Sequence, residues 1–290
     1  MIIERAIEKA KEMYRARAAA DAKLAQQATP VPPEGIAPVV PHPDRQPVEP
    51  SIQQYREFSR IKLDAATCER NRILWEWTGQ SELGRADAAY RVLRSRIQNR
   101  IGIGKGSCIG ITSPGPAEGK TVTSLNLAIS LVREKQRPVF LLDLDMRNPS
   151  VLKYLGASVP VQLSQFFFEA AAPEEVLFAT GIEMLVVAGN RQPVEGASEL
   201  LASQRLDELI AYIRGRSPNA LIIIDLPPVI STDEALKVAP RVDTMFLVVS
   251  ESKTRRDALE RSLSLLSDVK IAGIILNRSP ESVGQYYYGN

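Results

Sequence analysis

The chain has 290 residues, 44% of them hydrophobic and 24% charged, with a formal net charge of +2, which leaves room for one domain of ordinary size plus an extension. So balanced a charge gives no reason to expect nucleic acid or an anionic membrane surface as partner. The single histidine, His42, sits in Val40-Pro41-His42-Pro43, and the cysteines are only Cys68 and Cys108, which disfavours imidazole-based hydrolases, histidine zinc sites and disulfide frameworks.

Residues 3 to 26 place Ile3, Ile7, Ala10, Tyr14 and Ala18 at helical spacing among charges, predicting an amphipathic helix over 1–27. It could dock on or coil with another helix, or anchor to a membrane surface or a partner. Residues 28–50 are rich in proline (Pro30, Pro32, Pro33, Pro38, Pro41, Pro43, Pro47 and Pro50), the composition of an extended linker. The stretch 51–105 is expected to be helical in two pieces broken near Gly79 and Gly84, the second with Tyr90, Leu93, Ile97 and Ile101 on one face and Arg91 and Arg94 on the next stripe. No apolar run approaches the ~20 residues that span a bilayer. No charged segment followed by an apolar one opens the chain, so a cytosolic protein is expected.

From Ser107 the pattern changes to short apolar strands alternating with helices. The strands are expected at Cys108–Thr112, Val139–Leu142, Met184–Val187, Leu221–Ile224, Thr244–Val249 and Ile271–Leu276; the helices at Val122–Glu134, Glu199–Arg214, Asp233–Ala239 and Arg255–Ser267. This alternation predicts an α/β domain with a mostly parallel sheet and helices on both faces, behind an N-terminal helical extension.

The first strand runs into Ser113-Pro114-Gly115-Pro116-Ala117-Glu118-Gly119-Lys120-Thr121 and then a helix beginning near Val122. Strand, glycine-rich loop and Gly-Lys-Thr at a helix start form the context of a phosphate-binding loop. Loop amides and the helix N-terminus cradle phosphates, Lys120 bridges the β- and γ-phosphates, and the Thr121 hydroxyl takes Mg²⁺. Pro114 stands where the strict pattern has glycine, and a strand–helix connection that binds nothing is the bland alternative.

Two acidic motifs follow. Phe140-Leu141-Leu142 ends in Asp143-Leu144-Asp145-Met146-Arg147; carboxylates at i and i+2 leave the strand on one side, at the edge where open α/β sheets bind ligands. One could hold Mg²⁺ through water and the other accept a proton from an attacking hydroxyl, with Arg147 beside phosphate or acid; alternatively the pair caps a turn. The run Leu221-Ile222-Ile223-Ile224 ends in Asp225, the Walker B pattern, whose carboxylate orders the Mg²⁺ water shell.

These motifs resemble the bacterial tyrosine kinases, the autokinases of capsule and exopolysaccharide synthesis, over about residues 85–290. In that family such a loop is Walker A, a stretch like Leu142–Pro149 is Walker A′, Ile224-Asp225-Leu226-Pro227-Pro228 is Walker B, and a segment like Ala197–Ser203 precedes Walker B. The opening Ile2–Ala10 is similar to a narrower, exosortase-associated branch. The resemblance implies a P-loop NTPase fold of the deviant Walker, SIMIBI-like type over 106–280. It also implies ATP held by Gly115, Pro116, Ala117, Glu118, Gly119, Lys120, Thr121 and Val122, with Asn277 near the adenine, and Mg²⁺ held by Thr121, Asp145 and Asp225. Lys120, Asp143, Asp145 and Arg147 are the implied catalytic set, Asp143 taking the phenolic proton. Tyr286, Tyr287 and Tyr288, in the tail 281–290, match the family's autophosphorylated cluster. Arg91 and Arg94 match the arginines of its oligomerisation motif, although Ala88 occupies the glutamate place with Asp87 beside it. A ring-shaped homo-oligomer, a separate transmembrane polysaccharide co-polymerase as activator, and peripheral attachment to the inner membrane through that partner complete the picture. The chromosome-partitioning and division-site ATPases share the fold and supply the alternative, an ATPase switch without kinase activity; their signature lysine would fall at Gly115.

Overall fold

The computed structural model describes residues 58–75, 81–101, 106–251 and 253–279. The expected helix over 1–27, the linker over 28–50 and the tail tyrosines lie outside these residues. Seven strands form one sheet in the order β3-β4-β2-β5-β1-β6-β7: β1 Cys108–Thr112, β2 Val139–Asp143, β3 Phe178–Ala179, β4 Leu185–Ala188, β5 Leu221–Asp225, β6 Thr244–Ser250 and β7 Ile271–Asn277. Every pairing is parallel except β3 with β4. All residues of β1, β2, β4, β5 and β6 are buried, so both faces of the central sheet are covered, as a parallel sheet of β-branched and aliphatic residues requires. The edge strand β7 is only half-buried.

Six strands fall where the apolar runs place them. The seventh, β3, is two residues long and antiparallel, too short to show a period. Helix α1 (Ala65–Arg70) is six residues long, N-capped by Asp64, whose carboxylate accepts the Thr67 amide. Ahead of it the backbone is extended rather than helical: the Ile61 amide donates to the Ala179 carbonyl and the Ala179 amide to the Ser59 carbonyl, both at 3.0 Å, widening the sheet edge. This corrects the helix expected there. The second expected piece is one unbroken helix, α2 (Ser81–Ile101); Gly84 does not break it, because a glycine weakens a helix by only about 1 kcal/mol and packing supplies more. That packing is against α3 (Lys120–Val132), the helix that leaves the phosphate loop. Arg94 ion-pairs with Glu134 at 2.7 Å and donates to the Ser130 carbonyl at 2.6 Å, Arg133 pairs with Asp87, and Ile97 is buried.

The helix expected over Glu199–Arg214 is two, α6 (Ala197–Ala202) and α7 (Arg205–Arg216), separated by the extended Ser203. Short helices α4 (Val151–Tyr154) and α5 (Leu163–Phe167) lie between β2 and β3, while α8 (Glu234–Val238) and α9 (Arg256–Leu265) fall near their expected places. Because the long strands run parallel, the segments following β1, β2, β4, β5, β6 and β7 all emerge at one edge. No helix among the described residues is long and apolar enough to cross a membrane.

Candidate nucleotide site

The loop after β1 is held open by its own backbone. Gly119 has φ +95°, and a Cβ there would lie 2.0 Å from Asn277 Nδ2, so only glycine fits. Asn277, the last residue of β7, donates to the Glu118 carbonyl at 2.9 Å while its Oδ1 accepts the Arg278 amide. Its side chain thereby ties the seventh strand to the loop. Glu118 Oε1 accepts the Gly115 amide at 3.2 Å, and Lys253 Nζ donates to the Pro116 carbonyl at 2.6 Å. Burial raises the Glu118 carboxyl above its usual range, against the pull of the Thr254 hydroxyl and the Gly115 amide.

Lys120, the first residue of α3, is buried. Its Nζ lies 2.8 Å from Asp145 and 3.5 Å from Asp225. Desolvation alone would lower its pKa, but Asp225 and Asp145 outweigh that and hold it above its ordinary value, so Lys120 is charged. Asp225, fully buried at the end of β5, accepts from Thr121 Oγ1 at 2.6 Å through Oδ2 and from Ser124 Oγ at 3.0 Å through Oδ1. Desolvation raises its pKa, opposed by Lys120 and Thr121. Ser124 belongs to the site and was missed in the sequence; the signal was its place one turn after Thr121, on the same helix face.

Asp143 is the register partner of Asp225 on neighbouring strands. Its Oδ2 accepts the Ser150 and Val151 amides at 2.8 and 2.9 Å, and its Oδ1 accepts the Asp145 amide at 3.2 Å. Those bonds fold the segment after β2 back over the strand end and turn Asp145 toward Lys120. Burial, with Asp225 close by, pushes Asp143 up to about 7. Gly189, after β4, allows the approach: a Cβ there would lie 3.1 Å from that of Asp143.

Arg147 does not face Lys120. Its Nε donates to Glu234 Oε1 at 2.5 Å, its side chain stays 59% exposed, and Glu234 is 1% exposed. Burial works to raise the Glu234 pKa, but the Thr232 hydroxyl and Arg147 pull it below the usual value. Arg91 and Arg94 lie apart from the loop, on α2. Arg91 pairs with Asp87 at 3.3 Å, and Arg94 is turned inward onto α3. Of the two arginines expected on the stripe beside the apolar face, Arg94 is drawn inward because Glu134 and the Ser130 carbonyl offer it partners that the sequence spacing does not show. Tyr286–Tyr288 lie outside the described residues.

The residues fit a magnesium nucleotide. The hydroxyl and carboxylate oxygens of Thr121, Ser124, Asp145 and Asp225 are hard donors of the kind Mg²⁺ takes. On the loop's far side Glu118 Oε2, Ser250 Oγ and Glu251 Oε2 are buried and have no hydrogen-bond partner among the described residues, a concentration of unmet acceptors that a bound base with N–H donors would relieve.

A lysine at a helix start beneath a glycine-held loop, met by acids from two neighbouring strand ends, defines a P-loop nucleotide-binding domain. No family model matches the chain. It is 28% identical over 204 residues to tyrosine-protein kinase YwqD of Bacillus subtilis (strain 168), covering 69% of this chain and 85% of that one. To tyrosine-protein kinase ptk of Acinetobacter johnsonii it is 27% identical over 200 residues, spanning 68% of this chain but only 27% of that longer relative. Among solved structures, the VpsO kinase domain superposes with a TM-score of 0.62 at 26% identity, covering 70% of this chain and all of that domain. The chain is a homologue of the bacterial tyrosine kinases, as the motifs imply.

Proposed function

We propose that the chain transfers the γ-phosphoryl group of ATP to tyrosine hydroxyls, with its own tail residues Tyr286, Tyr287 and Tyr288 as acceptors. The observation that carries this reading is the convergence of Asp145 and Asp225 on Lys120 Nζ with Asp143 packed behind them: three carboxylates are more than phosphate binding needs. Magnesium, when bound, neutralises charge building on the β- and γ-phosphates; Thr121, Asp145 and Asp225 would hold it. The amides of Gly115 and of residues 117–122, with the Lys120 ammonium, bind and orient the phosphates; Pro116 has no N–H to give and only shapes the loop. Asp143, raised to about 7 by burial, accepts the phenolic proton in this reading as it becomes acidic in the transition state. Arg147 serves at the rim of the site, where it is exposed.

The homologues' role extends the reading: a homo-oligomer built through Arg91 and its neighbours presents each tail to another subunit. A transmembrane polysaccharide co-polymerase recruits and activates the kinase at the inner membrane, and phosphorylation regulates polymer synthesis or export. Each phosphotyrosine adds about −1.5 to −2 charges, enough to loosen such an assembly.

Incubating the purified chain with Mg-ATP and probing for phosphotyrosine tests the proposal. Labelling of the wild type that disappears when the tail is cut before Tyr286, with nucleotide binding intact, supports it. ATP hydrolysis without labelling, even with a fragment of the membrane partner present, would establish the ATPase-switch alternative.

A further inference from the structure

Arg147 is pinned through backbone and side chain alike. The Met146 carbonyl ahead of it accepts the Val194 amide at 2.9 Å. The Asn148 amide after it donates to the Asp145 carbonyl at 3.0 Å and to Asp145 Oδ1 at 3.2 Å. Its side chain is held by Glu234, which accepts from Nε, while neither Nη group makes a hydrogen bond among the described residues. Glu234 is in turn placed by the phosphate loop. It opens α8, and the segment leading to it from Asp225 is laced to the loop's first residues. The Thr112 hydroxyl donates to the Pro227 carbonyl at 2.7 Å, and the Val229 and Ile230 amides donate to the Ser113 and Pro114 carbonyls at 2.9 and 3.4 Å.

An ordinary rim ion pair joins two exposed groups and contributes little. Asp233, the exposed neighbour of Glu234, makes such a pair with Lys237 at 3.0 Å. Glu234 is instead buried, and stripping a carboxylate of water is costly. What that burial secures is direction: a carboxylate that cannot shift takes Nε and leaves the two Nη groups of an exposed guanidinium for an anion.

We infer that Glu234 is a positioning residue for phosphoryl transfer, holding Arg147 by Nε so that its Nη groups form a fork for the γ-phosphoryl group in transit. The inference rests on the kinase reading above and deepens it by naming the group that aims Arg147. Arg147 is two residues beyond Asp145, so their Cα atoms lie within about 7 Å; Asp145 meets the Lys120 ammonium, which bridges the β- and γ-phosphates. Parallel N–H donors match the geometry of a phosphate, and a donor oriented beforehand needs no reorganisation as charge develops. In the transfer the tyrosyl oxygen bonds to the γ-phosphorus as the bond to the β–γ bridging oxygen breaks and ADP leaves. The phenolic proton passes to Asp143, and Arg147 stays protonated throughout.

The test is a double-mutant cycle on the full chain with Mg-ATP: wild type, Glu234→Ala, Arg147→Ala and the double variant, with Glu234→Gln as the conservative change. Phosphotyrosine and ADP are both followed, and affinity for a fluorescent ATP analogue shows that each variant keeps its nucleotide site. Glu234→Leu, which fills the space without an acceptor, replaces Glu234→Ala if that variant fails to bind nucleotide. We expect Glu234→Ala to lower kcat about ten- to a hundredfold with ATP affinity changed less than twofold. Glu234→Gln, which keeps an acceptor for Nε, should recover most of that loss, and the double variant should be no slower than Arg147→Ala. An unchanged kcat in Glu234→Ala, no recovery in Glu234→Gln, or a loss that multiplies with that of Arg147→Ala overturns the inference and leaves the kinase reading standing. Wild-type ADP formation without phosphotyrosine overturns the kinase reading, and the same cycle read on ADP then decides the role of Glu234. A wild type that forms neither product overturns both.

Discussion

Asp143 and Asp225 stand side by side in register at the ends of neighbouring parallel strands, and both are fully buried, yet they are satisfied in different ways. Asp143 accepts three backbone amides and so shapes the turn that carries Asp145. Asp225 accepts two side-chain hydroxyls and meets the Lys120 ammonium. Backbone partners stay in place when a ligand arrives, whereas hydroxyl and ammonium partners can turn toward phosphate and metal. One strand end is therefore fixed scaffold with a basic oxygen, and the other is the adjustable half of the site.

The largest effect tests the charge both halves share. Lys120→Met should lower phosphoryl transfer roughly a thousandfold or more, read as radiolabel incorporated from ATP; equal labelling would remove Lys120 from the chemistry. Next, Asp225→Asn should weaken magnesium-dependent nucleotide binding by roughly 10–100-fold and leave magnesium-free binding nearly unchanged. Titration of a fluorescent ATP analogue with and without Mg²⁺ would show this, and a loss equal in both conditions would mean that Asp225 only supports the loop.

The scaffold half is sharpened by pH. Asp143 has a folded pKa of about 7, above its ordinary 3.8, so its stabilising contribution is full below the unfolded value and is lost as pH rises through about 7. Asp143→Asn removes that slope. Melting curves of the ligand-free proteins should diverge, the variant gaining roughly 5 °C on the wild type between about pH 5 and pH 8; parallel curves would place the proton elsewhere. The smallest effect is Ser124→Ala, which takes one hydroxyl from Asp225 and should lower stability by about 0.5–1.5 kcal/mol in urea unfolding, with Thr121 still in place.

The phosphate loop, both acidic strand ends and six of the strands were legible because each is local: an apolar run sets a strand, and Gly-Lys-Thr or Asp at its end sets what emerges there. What escaped the sequence depends on partners far along the chain. Glu234 meets Arg147 across 87 residues and Asn277 reaches Glu118 across 159, and no spacing rule announces either. Arg94 lies on the stripe of α2 beside its apolar face, and only Glu134 and the Ser130 carbonyl, distant in sequence, show that it turns inward. The extended run before Asp64 shows no clear period of its own, and its strand character comes from pairing with Ala179, in a strand itself too short to see.

The bond from Asn277 to the Glu118 carbonyl has a consequence for biosynthesis. The loop lies in the first half of the domain, but the residue that secures it is the last of the final strand. A nascent chain on the ribosome therefore lacks this hydrogen bond, worth about 0.5–1.5 kcal/mol, until residue 277 has emerged and β7 has added to the sheet edge.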